Sequence, residues 1–372
     1  MSSTDKAAPG SLHSVFARLI AATGPISIAH YMAESNARYY AARDPLGTDG
    51  DFVTAPEISQ MFGELIGLWL ADICQRAGQA QGACYVELGP GRGTLASDAL
   101  RAAGRAGFAP PVHFVETSPA LTALQRAAHP QAMWHQDLST LPDDRPLLIV
   151  ANEFLDALPV RQLVRTGAGW RERMVGLAGE TLVPVAGERP MDAAVPAGLA
   201  SVPEGSILET SPAAATVVQE VAGRLTAQGG AALFIDYGYT VPRLGSTLQA
   251  VRAHRKVGVF ASPGEADLTA HVDFAALVPV AEAQGARWLG TCEQGAWLRA
   301  LGIEARARAL TNASPHAAAA ISAAAARLTG TQEMGTLFKV MGLAAPGWPD
   351  GAGLARVMHG GAAPRSVTPL PD

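Results

Sequence analysis

From residue 84 onward, short apolar runs alternate with longer segments whose apolar positions recur at helical spacing. Strands are predicted at 84–88, 112–116, 132–136 and 147–151, with helices at 94–103 and 119–128 between the first three. The alternation resumes with a helix at 212–227, a strand at 231–236, a helix at 274–284 and strands at 287–290 and 336–341. Strands and helices in this order predict an α/β fold, a Rossmann-like doubly wound sheet of seven strands that is mostly parallel.

Upstream the pattern is helical. A helix is expected at 11–22, and Pro25 opens a second that carries Ile26, Ile28, Ala29 and Met32 and stops near Asn36. The stretch 39–56 is rich in Asp, Gly and Pro and reads as a loop. Apolar positions at Ile58, Met61, Phe62, Leu65, Trp69 and Ile73 then predict a helix over 57–76 that ends at Gly78. Residues 1–78 thus form an N-terminal helical cap, and 79–372 the main domain. Two insertions interrupt that domain, at about 160–206 and 238–272. The first begins as a hairpin, 161–165 and 171–177 around Gly167-Ala168-Gly169, followed by a Pro-rich stretch. Both follow core strands, so they flank the edge of the sheet where ligands bind.

Composition narrows the class. With 48% hydrophobic and 16% charged residues, 372 residues can bury a sizeable core. The net charge of -5 gives no footprint of a general nucleic-acid binder. Cys74, Cys84 and Cys292 are far apart and form no C-x-x-C pair, which argues against a metal site or a disulfide framework. Asp5, Lys6 and Arg18 fall where a signal or transit peptide would need a different pattern, so the expectation is a reducing, cytoplasmic location. The most apolar stretches, 65–74 and 317–326, are too short to span a bilayer, so no membrane insertion is expected.

The strongest chemical signal is Tyr85-Val-Glu-Leu-Gly-Pro-Gly-Arg-Gly-Thr-Leu95, a strand and an acid followed by G-x-G-x-G running into a helix. Gly89, Gly91 and Gly93 let the backbone approach a ligand closely, with Pro90 and Thr94 on the same turn. The spacing departs from the dinucleotide pattern G-x-G-x-x-G, and no Gly-Lys-Ser or Gly-Lys-Thr makes it a phosphate loop. The next strand ends in Glu116, placed to accept from both ribose hydroxyls, while Thr117 or Ser118 with Pro119 provides the helix cap. The third strand ends in Asp137-Leu138, where the acid can take an adenine amino group and the leucine can pack on the ring. Together with Glu87, these positions predict S-adenosyl-L-methionine as the cofactor of a class I methyltransferase.

Three segments occur together in order: Gly50-Asp-Phe-Val-Thr-Ala-Pro-Glu-Ile-Ser-Gln60, the glycine loop, and Asn152-Glu-Phe-Leu-Asp-Ala-Leu-Pro159. With Asp236-Tyr-Gly, 263–274 and Met334-Gly-Thr-Leu-Phe-Lys339, they make the chain resemble the MidA family over nearly its whole length. That family includes relatives of a mitochondrial complex I assembly-factor methyltransferase. The resemblance implies a seven-stranded methyltransferase fold, S-adenosylmethionine, and arginine on a protein acceptor, a respiratory complex subunit, as the methyl acceptor.

Methyl transfer from a sulfonium is an in-line displacement, so the protein must align the nucleophile and exclude water. A guanidinium acceptor needs carboxylates to hold its planar fork. Asn152-Glu153 follows the fourth strand, where class I methyltransferases place residues touching both methionine and substrate, so Asn152 is a cofactor-binding candidate, Glu153 the first candidate to grip the acceptor, and Asp156 the second. Glu57 is a third catalytic candidate, equally readable as a first-turn acid on a helix dipole; with Thr54 and Pro56 it would close the cofactor pocket if the cap folds over it. Asp236 either contacts substrate or anchors the second insertion, and Asp273 reads as a helix N-cap. His254, in the basic run Arg252-Ala-His-Arg-Lys256, reads as part of a solvated face. The rival functions are a small-molecule methyltransferase and a cofactor-binding assembly chaperone without turnover.

Overall fold

The computed structural model describes residues 10–42, 54–199 and 201–355. The motif residues 50–53, most of the expected 39–56 loop, and Asp5 and Lys6 lie outside them. The chain begins with α1 (Leu12–Thr23), capped by the Ser11 hydroxyl, then β1 (Ile26–Ser27), α2 (Ile28–Ala42), α3 (Ala55–Ile58) and α4 (Gln60–Arg76). Next come β2 (Cys84–Leu88), α5 (Thr94–Arg105), β3 (Val112–Val115), α6 (Pro119–Ala128), β4 (Met133–His135) and β5 (Leu147–Asn152). A β-rich stretch follows, with β6 (Arg161–Thr166), β7 (Gly169–Ala178), β8 (Thr181–Pro190) and β9 (Ile207–Thr210). The chain then returns to the main sheet through α7 (Pro212–Gln228) and β10 (Gly230–Tyr239). After β10 come β11 (Gln249–Arg252), β12 (Arg255–Val257), β13 (Asp267–Thr269), β14 (Val272–Asp273) and α8 (Phe274–Ala283). The described chain closes with β15 (Arg287–Glu293), α9 (Gln294–Ala300), α10 (Ile303–Ala313), α11 (Ala318–Thr329), α12 (Met334–Leu337) and β16 (Phe338–Ala344).

Seven strands lie in the order β15-β16-β10-β5-β2-β3-β4, and the two-residue β14 adds an eighth on β10. The row from β10 to β4 is parallel, whereas β16 runs antiparallel between β10 and β15. Both faces are covered, which is why β2 and β5 read as continuous apolar runs. Tyr85, Leu148 and Val150 face the core built on α4 and α5; Cys84, Val86, Leu147, Ile149 and Ala151 face the core built on α7 and α8.

Several expectations needed revision: the helix expected to open at Pro25 starts only at Ile28, after β1, and the strand expected at 336–341 begins at Phe338, after α12. The helix stopping near Asn36 continues to Ala42. The helix over 57–76 is two, broken at Ser59, whose hydroxyl accepts from Met61 N–H to cap α4. The Pro-rich stretch after the first hairpin contains a third strand, β8, which pairs only with β7; an edge tolerates Pro184 and Pro190 because no outer neighbour needs their missing N–H.

The N-terminal helices divide between two cores. Met61, Phe62 and Trp69 of α4 pack in the main core, whereas Phe16, Ile20, Tyr31 and Met32 of α1 and α2 pack with Val160, Val175, Leu182, Leu248 and Leu268 of the inserted segments. Strand β1 pairs with β7 and joins the first insertion's sheet, while β11, β12 and β13 form a separate three-stranded sheet. Among the described residues, no helix is long and apolar enough to cross a membrane.

Candidate functional site

A cavity of about 500 Å³ opens at the carboxyl ends of β2, β3 and β5. The loop after β2 turns through Gly89, Gly91 and Gly93, with φ of 62°, 55° and 80°, a left-handed conformation that L side chains rarely adopt. Gly91 and Thr94 line the cavity, and α5 begins at Thr94 with its N-terminus there, so free N–H groups and the helix dipole favour a carboxylate nearby. Gly93 lies behind the lining; it is the α5 N-cap residue, and the His129 ring packs against it, its Nε2 2.9 Å from the Gly93 carbonyl. Glu87, beneath the loop, accepts from the Tyr85 hydroxyl at 2.6 Å, and burial pushes its carboxyl up to about 8.

Glu116 follows β3 and lines the same cavity. One of its oxygens accepts from Ser118 N–H at 2.7 Å and the other from Gln125 Nε2 at 3.1 Å. Burial raises this carboxyl too. Ser118 caps α6 with its hydroxyl and also donates to the Tyr40 carbonyl at 3.1 Å, so α2 is tied to the ribose side. Thr117 lines the wall beside it. Asp137 and Leu138 lie elsewhere: Asp137 caps a short 3-10 turn by accepting from Ser139 N–H at 2.8 Å, and Leu138 is buried in the α7–α8 core.

The opposite wall is assembled from distant segments. After Asn152, Glu153 adopts φ of 50°, uncommon for a residue with a side chain. Its N–H donates to Ile235 O at 2.9 Å, and its Oε1 accepts from Ala55 N–H at 3.1 Å and Asn152 Nδ2 at 3.2 Å. Burial first, and the adjacent Asp156 carboxylate next, raise the Glu153 carboxyl to about 7. Asp156 is buried behind the cavity lining, and burial lifts it to about 6. Asp236 is buried against the same turn: Oδ2 accepts from Leu155 N–H at 3.0 Å and Asp156 N–H at 3.1 Å, and Oδ1 from Tyr237 N–H at 2.9 Å. Glu57 accepts from the Thr94 hydroxyl at 2.6 Å, pinning α3 to α5, and Thr54 and Pro56 stand beside it on the wall.

Thr54, Pro56, Glu57, Glu87, Gly89, Pro90, Gly91, Thr94, Glu116, Thr117, Ser118, Asn152 and Glu153 therefore share one cavity; Gly93, Asp137, Leu138 and Asp156 do not line it. Sequence reasoning missed the α2 contribution, Asn36, Ala37, Tyr40 and Ala41, and the apolar floor of Phe154, Ala157 and Leu158. Asn36 donates to Ala157 O at 3.0 Å and Leu268 O at 2.8 Å and accepts from Leu268 N–H at 3.0 Å. The only signal was the polar Asn36 and paired Tyr39-Tyr40 late in an amphipathic helix. Asp273 caps α8, accepting from Ala276 N–H, and His254 is exposed at the β11–β12 turn. Among the described residues, no group of three or more His, Cys, Asp or Glu could hold a metal ion. The cavity is within the size range of small-ligand sites. Three of its features suit parts of S-adenosylmethionine: a helix N-terminus suits a carboxylate, Glu116 suits hydroxyls, and the glycine loop allows close approach.

A profile of S-adenosyl-L-methionine-dependent methyltransferases matches residues 65–292. The protein arginine methyltransferase NDUFAF7 homolog, mitochondrial, of Drosophila melanogaster is 34% identical over 92% of this chain and 86% of its own. Mouse mitochondrial protein arginine methyltransferase NDUFAF7 is 33% identical over 87% and 82%. The crystal structure of a Burkholderia thailandensis protein bound to S-adenosyl-homocysteine superposes with a TM-score of 0.81 at 29% identity, covering 92% of this chain and 93% of that one. The relatives' names overturn the expectation of a cytoplasmic location, since these relatives are mitochondrial. The cysteine spacing behind that expectation speaks only against a disulfide framework and does not single out the cytosol.

Proposed function

The chain belongs to the S-adenosyl-L-methionine-dependent methyltransferase family, and on that premise we propose that it methylates arginine on a protein acceptor, a respiratory complex subunit. The observation that carries this reading is the Glu153 carboxylate, half-buried after β5 on the wall of the cofactor cavity with the buried Asp156 behind it. Bound there, the cofactor supplies a methyl group on a sulfonium. Glu153 is placed to hold the guanidinium by charge-assisted hydrogen bonds and so to orient one nitrogen toward the methyl. As the new N–C bond forms and the C–S bond breaks, the nitrogen's proton must leave. A carboxyl poised near 7 accepts a proton at neutral pH. Phe154, Ala157 and Leu158 keep the floor apolar and limit water near the methyl.

The test is mass spectrometry of respiratory-complex proteins after incubation with the purified protein and isotopically methyl-labelled S-adenosylmethionine. Labelled methylarginine on a subunit is the expected result. Label on a metabolite with none on protein arginine would move the assignment to a small-molecule methyltransferase.

A further inference from the structure

Asp236 does not line the cavity, yet it fixes the turn that supplies Glu153. Three backbone N–H groups converge on its carboxylate: Leu155 and Asp156 on Oδ2, and Tyr237 on Oδ1. Residues 155 and 156 stand 81 and 80 positions earlier in sequence and belong to the segment after β5, so the side chain staples two strand ends together. The same turn forces Glu153 to φ of 50°. A non-glycine residue in that region costs on the order of 1 kcal/mol or more and persists only when its surroundings impose it. Here the restraints are explicit: Glu153 N–H on Ile235 O, directly before Asp236, and the amides of Leu155 and Asp156 on Asp236 itself. No ion pair of Asp236 is found among the described residues, and burial first, then the neighbouring Asp156 and Glu153, push its carboxyl well above the usual range. An acid kept at such a place, rather than a neutral residue, is explained by the double acceptor it offers to three amides.

We infer that Asp236 is a positioning residue of the methyl-transfer reaction, clamping the left-handed Glu153 turn through its backbone amides so that the Glu153 carboxylate faces the acceptor nitrogen. The inference rests on the reading of Glu153 as the group that grips the acceptor. Asn at 236 keeps the shape but offers a single acceptor oxygen, so it cannot satisfy amides on both sides.

The experiment is a double-mutant cycle on the full chain with Asp236→Asn and Glu153→Gln. Asp236→Asn is expected to lower kcat about 10- to 100-fold, as for a misplaced catalytic group, with acceptor KM and S-adenosylhomocysteine affinity within about threefold of wild type. Rates are divided by the fraction of molecules that bind S-adenosylhomocysteine, which removes losses from misfolding. In the Glu153→Gln background, Asp236→Asn should add nothing, because its effect passes through Glu153. Additive losses, or an unchanged kcat, would overturn the proposal. If the variant does not fold, wild-type amide exchange decides. Protection at Leu155 and Asp156 equal to that of β10 supports the clamp, and exchange at the rate of an exposed loop refutes it. A wild type that methylates no arginine sinks the functional reading instead, leaving the clamp to be judged by exchange.

Discussion

The two walls of the cavity are built by opposite strategies. The cofactor wall is local: β2, its glycine loop and the start of α5 are one continuous segment, and Glu116 to Ser118 form the next strand-to-helix turn. The wall we assign to the acceptor is composite: α3, the turn after β5 and, behind it, the end of β10 come from positions 54 to 236 and meet only in the fold, with α2 bridging the two walls. Local geometry tolerates change elsewhere in the chain, whereas a composite wall depends on every segment that meets there. Cofactor binding and methyl transfer should therefore separate cleanly under mutation.

The largest expected effect is on the local wall. Gly91→Val places a branched side chain at φ of 55° on the lining, and calorimetry should show S-adenosylhomocysteine affinity reduced about 100-fold or more. Unchanged affinity would refute the assignment of the loop. On the composite wall, Glu153→Gln should lower kcat about 100-fold while leaving S-adenosylhomocysteine affinity within about threefold. Equal loss of both would mean that the two walls are not separable.

A smaller effect concerns the floor of the cofactor wall. The folded protein holds Glu87 protonated up to about 8, far above the ordinary value of 4.5. The folded state therefore binds a proton that the unfolded chain has lost, and this contribution to stability is complete below pH 4.5 and disappears as pH rises through about 8. Glu87→Gln cannot ionise, so its melting temperature relative to wild type should be about 1–3 °C higher at pH 9 than at pH 5. A difference independent of pH would show that burial does not hold that proton. The least effect is expected at Asp137, which caps an exposed turn and does not line the cavity: Asp137→Ala should change S-adenosylhomocysteine affinity by less than about twofold. A loss of tenfold would restore it to the adenine site.

This contrast also explains what the sequence made legible. The strand-glycine-helix segment and Glu116 were readable because spacing along a short stretch determines which atoms meet. Core strands were readable because burial on both faces leaves continuous apolar runs, as in Leu147–Asn152. The length of α2 was not, because Asn36 looks like a stop until its side chain finds Leu268, 232 positions away. The role of Asp236 was open for the same reason, since its partners are amides whose direction depends on a turn that no local propensity dictates. Strand β8 was hidden by two prolines that only an edge position makes acceptable.

Helix α2 is shared by both walls, through Ser118 on one side and Ala157 on the other, and its apolar face belongs to the core of the inserted sheets. The family profile begins at residue 65, after this helix and after Thr54 to Glu57. A recombinant fragment trimmed to the profile's limits would keep the glycine loop but leave one side of the nucleoside site open to water. Its failure to bind would then report a missing wall, and domain boundaries for expression should be drawn ahead of α1.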